Sequence, residues 1–143
     1  MYYFAYGSNM NKDWFKARCP NVKLIEGLFY LENSQFIYDG ASKNWSSKAV
    51  ANIISKQDAK VWGGLYKISF NDLDVLDHYE GYPNCYGKGI LIIKDENKKV
   101  YPAWVYFRVG QKEGFPSGDY KKCVLKGAED FKLPEEYITK NLI

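Results

Sequence analysis

Arginine is nearly missing from this chain: Arg18 and Arg108 are the only two, and the net charge of +3 rests on scattered lysines. A nucleic-acid surface needs a stripe or cluster of cations, so no nucleic-acid partner is expected. Histidine is limited to His78, and cysteine to Cys19, Cys85 and Cys123. Their wide spacing gives neither a zinc-ligand pattern nor a redox pair, and an odd set of unpaired thiols fits buried side chains in a reducing compartment. No run of 18 apolar residues and no charged-then-apolar leader is present, so a cytoplasmic protein with no membrane partner is expected. The phosphate-cradling patterns GxxxxGK and GxGxxG are absent. Ser8 has no histidine partner in the sequence pattern, which removes support for a serine triad.

What the chain has is tyrosine. Thirteen of them, with eight Phe and four Trp, make 17% of the residues. Most such rings fill cores and sheets, but tyrosines can also line a polar pocket with hydroxyls. The length suits one domain with a real core, expected to span residues 1–143.

The organising stretch is Tyr2-Tyr3-Phe4-Ala5-Tyr6-Gly7-Ser8-Asn9. Its apolar opening predicts a short strand buried on both faces. Gly7 supplies backbone freedom, Ser8 and Asn9 favour a turn, and a helix is expected from Asn11 to Cys19, before Pro20. Such a break points unpaired N–H groups one way, which suits a carboxylate or phosphate, although an ordinary strand end would use the same residues.

Val22–Tyr38 reads as two strands interrupted by a turn at Glu32-Asn33-Ser34. Ala49–Ile54 and Val61–Ile68 read as two more, separated by a polar turn at Lys56–Lys60. The paired Gly63-Gly64 marks a bulge or a close approach. A helix capped by Ser69 or Asn71 then carries Leu73, Leu76 and Tyr79 on one stripe and stops at Gly81. Tyr86–Ile93 and Val100–Val109 form a hairpin. Tyr120, Cys123, Val124, Gly127, Ala128 and Phe131 make the apolar stripe of a third helix, and Pro134 starts a short one. The total is six or seven strands with three or four helices, an α+β domain with an antiparallel or mixed sheet curled into a barrel.

Glu80 is the carboxylate that stands out. Seven residues at 100° each place it about 20° from Leu73, on the stripe that should face the core. Burial and the negative end of the helix dipole both raise its pKa there, as for a general base. A frayed last turn would instead leave it in water. His78 falls on another face and is expected at the surface.

These pieces occur in a familiar order. Phe4-Ala5-Tyr6-Gly7-Ser8-Asn9, Leu76-Asp77-His78-Tyr79-Glu80-Gly81 with Tyr86 beyond it, Tyr120-Lys121-Lys122, Gly127-Ala128 and Leu133-Pro134-Glu135-Glu136-Tyr137 resemble the γ-glutamylcyclotransferases over nearly the whole chain. The resemblance implies a small mixed or antiparallel β-barrel flanked by short helices. It implies that Tyr6, Gly7, Ser8 and Asn9 hold a γ-glutamyl group through loop N–H groups. It gives Glu80 the catalytic acid/base role, and makes Tyr86, Tyr120 and Tyr106 pocket tyrosines. The implied partner is a small γ-glutamyl molecule, cleaved to 5-oxoproline and a free amine without metal or cofactor. Two departures bear on substrate: Tyr82-Pro83-Asn84-Cys85 is a variable stretch on the leaving-group side, and the loop reads YGSN rather than YGTL or YGSL, which points toward γ-glutamyl amino acids. A non-catalytic γ-glutamyl or carboxylate binder, and a tailoring enzyme for carrier- or antibiotic-linked amides, remain the alternatives. Oligomeric state is not legible.

Overall fold

The computed structural model describes residues 1–143 and places five strands in a closed barrel. In chain order these are β1 (Tyr2–Ala5), β2 (Lys23–Ser42), β3 (Lys48–Lys67), β4 (Gly87–Asp95) and β5 (Val100–Phe107). The order around the barrel is β1-β3-β2-β4-β5, all antiparallel except the closing β1–β5 pair. Helices α1 (Lys12–Arg18), α2 (Phe70–Glu80), α3 (Gly118–Asp130) and α4 (Glu135–Tyr137) flank it. No helix is long and apolar enough to cross a membrane.

The strand count is lower than the sequence suggests because two expected turns are bulges inside long strands. Asn33 and Asp58 both adopt left-handed backbone, at φ 54° and 67°. They lie across from one another, and the Asp58 N–H donates to Asn33 Oδ1 at 3.0 Å. The β2–β3 ladder therefore resumes beyond them, from Glu32↔Lys60 to Ser34↔Ser55. Turn chemistry at these positions is satisfied without turning the chain.

The glycine pair marks a close approach, as expected. A Cβ on Gly63 would lie 2.3 Å from the Ala5 carbonyl oxygen, and one on Gly64 would lie 2.3 Å from the Phe131 ring. Only bare backbone lets β1 and the α3 end seat on β3 this closely. Phe4, Phe15, Phe29, Leu65, Ile93, Val124 and Leu142 fill the core without measurable exposure beyond 1%.

Helix α2 follows β3 directly and is set by its ends. Ser69 and Asp72 form a reciprocal capping box, and Gly81, at φ 66°, closes the C-terminus in left-handed geometry. Leu73 and Leu76 are buried, and each such side chain contributes roughly 1.5–3 kcal/mol. Tyr79 departs from the expected stripe: it is 44% exposed and carries the Arg18 guanidinium 4.3 Å from its ring centroid. In α3 the expected stripe is buried, from Tyr120 through Cys123, Val124, Gly127 and Ala128. Pro134 caps α4 from just outside its first turn rather than occupying it. Cys19 and Cys123 are buried, whereas Cys85 is exposed, in contrast to the expectation for all three thiols.

Candidate active site

Where β1 ends, the backbone turns through a single 3₁₀ turn, Ser8–Met10. Its carbonyls are occupied: Met10 N–H donates to Gly7 O and Asn11 N–H to Ser8 O. The N–H groups at the start of such a turn have no intrahelical acceptor. Gly7 is not left-handed, with φ −119°, and its neighbours show that it is needed here for space. A Cβ at Gly7 would sit 2.8 Å from the Ala51 Cβ and 3.2 Å from the Tyr120 hydroxyl. Gly7→Val should therefore cost about 1–3 kcal/mol of overpacking, and should weaken binding of the γ-glutamyl ligand that the sequence resemblance implies further than that. Thermal melting and ligand titration on one sample separate the two effects; equal losses would make Gly7 a packing residue only.

The last turn of α2 is pinned against the barrel two strands away. Asp77 accepts from the Tyr106 hydroxyl at 2.6 Å and pairs with Lys88 Nζ at 2.6 Å. One turn later Glu80 enters a chamber that it shares with all the anticipated site residues: Tyr6, Gly7, Ser8, Asn9, Tyr86, Tyr106 and Tyr120. The chamber also contains Tyr3 and Ala51, which the sequence reading had not singled out.

The hydroxyls around Glu80 are each bonded to the scaffold, those of Tyr6, Tyr86 and Tyr106 as donors and those of Tyr3 and Tyr120 as acceptors. Tyr6 donates to the Tyr106 carbonyl at 2.6 Å, and Tyr86 donates to the Ala51 carbonyl at 2.7 Å. The Tyr120 hydroxyl accepts from the Ala51 N–H at 2.9 Å. Asn9 is 3% exposed, and its Nδ2 donates to the Tyr3 hydroxyl at 2.9 Å and to Glu80 Oε1 at 3.3 Å. The Asn9 side chain thus orients the carboxyl directly, a contact that spacing along the chain does not reveal.

Burial pushes the Glu80 carboxyl up to about 7, against the opposing pull of Arg18, Arg108 and the Asn9 hydrogen bond. Burial also raises the hydroxyls of Tyr3, Tyr6 and Tyr86 well above their ordinary value. Tyr106 and Tyr120 move in the same direction, again chiefly through burial. Glu80 is consequently the group in this chamber that exchanges a proton near neutrality.

The inner chamber is small, about 40 Å³, room for little more than one water-sized group. Past Ser8, Glu80, Tyr86 and Tyr120 it opens into a vestibule of about 460 Å³ that reaches Arg18, Trp45, His78 and Arg108. His78 is exposed, as expected. The Arg18 Cζ stands 4.5 Å from the Trp14 ring centroid, in addition to its contact with Tyr79, and no carboxylate of the chain pairs with it. A larger cavity of about 680 Å³ lies on the far side of Arg108. Its two acids are Glu32, paired with Lys94, and Asp39, paired with Arg108.

Residues 60–141 match the AIG2-like family, more than half of the chain. The chain belongs to that family. Human γ-glutamylcyclotransferase is 29% identical over 147 residues, covering 96% of this AIG2-like chain and 75% of the human protein. The mouse protein of the same name is 27% identical with the same coverage. A solved γ-glutamyl cyclotransferase structure superimposes with a TM-score of 0.90 at 26% identity, over 97% of this chain and 84% of the other. A yeast γ-glutamyl cyclotransferase specific to glutathione shares the fold, at a TM-score of 0.57 and 12% identity, over 98% of this chain and 93% of the other. The γ-glutamylcyclotransferase resemblance and the expected barrel with flanking helices are both borne out.

Proposed function

We propose that this AIG2-like protein is a γ-glutamylcyclotransferase that releases 5-oxoproline from γ-glutamyl amino acids, with Glu80 as general acid/base. The observation that carries the reading is one carboxyl, poised near neutral pH, in a chamber whose tyrosine hydroxyls are already bonded to protein. The substrate's α-amino nitrogen attacks its own γ-carbonyl carbon and closes a five-membered ring. Glu80 takes the proton from that nitrogen and returns it to the departing amine as the old C–N bond breaks. No water is consumed. Holding the two reacting ends together makes the attack unimolecular, worth about 7–11 kcal/mol of barrier when alignment is good. The free N–H groups of the Gly7–Asn9 turn take an anionic substrate oxygen.

The leaving amine faces the vestibule. Arg18, stacked on Trp14 and Tyr79 and lacking a carboxylate partner, favours a leaving group that brings its own carboxylate. A pure binder would gain nothing from a half-buried acid that titrates near neutrality. The direct test is 5-oxoproline release from a panel of γ-glutamyl amino acids, γ-glutamylamines and glutathione, followed across pH. Turnover is expected with the amino-acid conjugates, with kcat/KM falling as pH drops below about 7, because protonation removes the base. Release from none of the panel would defeat the reading.

A further inference from the structure

We propose that Arg108 is a positioning residue for Glu80: a buried Asp39–Asn52 clamp fixes its guanidinium against Tyr86 and presents positive charge to the vestibule that Glu80 also lines. The proposal rests on the acid/base reading of Glu80.

The clamp crosses three strands. Asp39 of β2 and Asn52 of β3 are 2% and 1% exposed, and Asn52 Nδ2 donates to Asp39 Oδ2 at 2.8 Å. The same side chain grips the Arg108 backbone just past β5, donating to its carbonyl at 2.7 Å and accepting from its N–H at 3.1 Å. An amide that satisfies both backbone groups of one residue behaves like a piece of strand, so Arg108 is held in register without a neighbouring strand. Its Nη2 donates to the Asp39 carbonyl at 3.1 Å, and Nε lies 3.8 Å from Asp39 Oδ1. Gly40 leaves room for this: a Cβ there would fall 2.2 Å from Nη2.

Beyond the clamp, the Arg108 Cζ lies 4.8 Å from the Tyr86 ring centroid. The Tyr86 hydroxyl ends on Ala51, the residue next to Asn52, and Ala51 also holds Tyr120. The clamp and two chamber tyrosines thus share one segment of β3. Stability alone is a weak reason for the arrangement. Burying an ion pair can cost more in desolvation than it returns, and this pair leaves Asp39 Oδ1 and Arg108 Nε without hydrogen bonds. A charge held at that cost, in the wall of the Glu80 vestibule, has its use on the Glu80 side.

The groups that act on Glu80 can be named. Arg18 of α1 and Arg108 are the cations that favour its ionised form, with the Asn9 amide as hydrogen-bond donor. Tyr3 of β1, Tyr6 just past it, Tyr106 of β5 and Tyr120 of α3 face it with neutral hydroxyls, as does Tyr86 beneath Arg108. Removing the Arg108 charge therefore makes Glu80 harder to ionise, and removing the Asp39 charge behind it does the opposite.

The experiment is a carbon-13 NMR titration of the Glu80 carboxyl in the full-length protein, assigned with Glu80→Gln, alongside steady-state kinetics. Arg108→Gln should raise the Glu80 midpoint by about half a unit to one unit and lower kcat roughly ten- to a hundredfold. Arg108→Lys should restore the midpoint, and Asp39→Asn should lower it. A structural disturbance would not move the two partners' variants in opposite directions. If Arg108→Gln does not fold, the lysine and Asp39→Asn variants still decide the sign. Midpoints unchanged, or shifted the same way in all variants, would overturn the proposal. Turnover surviving in Glu80→Gln would instead defeat the acid/base reading, with the titration still reporting on Arg108.

Discussion

Glu80→Gln should lower turnover of a γ-glutamyl amino acid by about 10²–10⁴-fold while the protein folds normally. Glutamine matches glutamate in length and can still meet the Asn9 amide, but it exchanges no proton. The variant should also gain heat stability, and in a pH-dependent way. Folding raises the Glu80 pKa from about 4.3 in the unfolded chain to about 7, so the folded state favours the protonated form. That contribution is fully present below about pH 4 and is lost as pH rises through 7, where wild type must bury a charge. The melting advantage of the neutral variant should therefore be largest above about pH 7 and fade toward pH 4. Turnover above about a third of wild type would remove Glu80 as the base, since even modest acid–base catalysis exceeds that factor.

Blocking the α-amino group of the substrate should abolish turnover altogether. In cyclotransfer the nucleophile belongs to the substrate, and an acetyl group on that nitrogen takes away its lone pair. If Glu80 activated water instead, the N-acetylated compound would still be cut and would yield N-acetylglutamate. The site favours the first outcome: Glu80 is its one group titrating near neutrality, and no histidine lines the chamber beside Ser8. Mass spectrometry in ¹⁸O-water decides between them. Label in the first-formed product would rule out ring closure, because no water oxygen enters 5-oxoproline.

Periodicity was enough to find Glu80, because a helix writes its buried face into the sequence every three or four residues and an acid on that face is conspicuous. The Gly7–Asn9 turn was legible for a similar local reason. Arg108, Asp39 and Asn52 were not, because they meet only through pairing between β2, β3 and the end of β5, and nothing near each residue names its partner. The same limit produced the extra strands. Asn33 and Asp58 carry ordinary turn signals, and only the ladder running past both shows that the chain continues straight. Tyr3 was placed in the first strand, but its hydroxyl reaches the chamber through Asn9, a contact made by the turn after it.

The parallel pairing of β1 with β5 joins Tyr2 to Ala103 and Tyr3 to Trp104, segments separated by nearly the whole barrel sequence. Closing so long a loop is entropically slow, and it brings no reward until the intervening strands are in register. The closure brings Tyr106 of β5 to the walls already gathered by other pairings, the turn after β1 and Ala51 of β3, beside the end of α2 and Tyr120 of α3. The complete chamber therefore needs that long-range pairing as well as the local ones, and a chain with the β1–β5 seam open would lack it. A partly folded form that kept the long β2–β3 hairpin would hold most of the sheet and none of the chemistry.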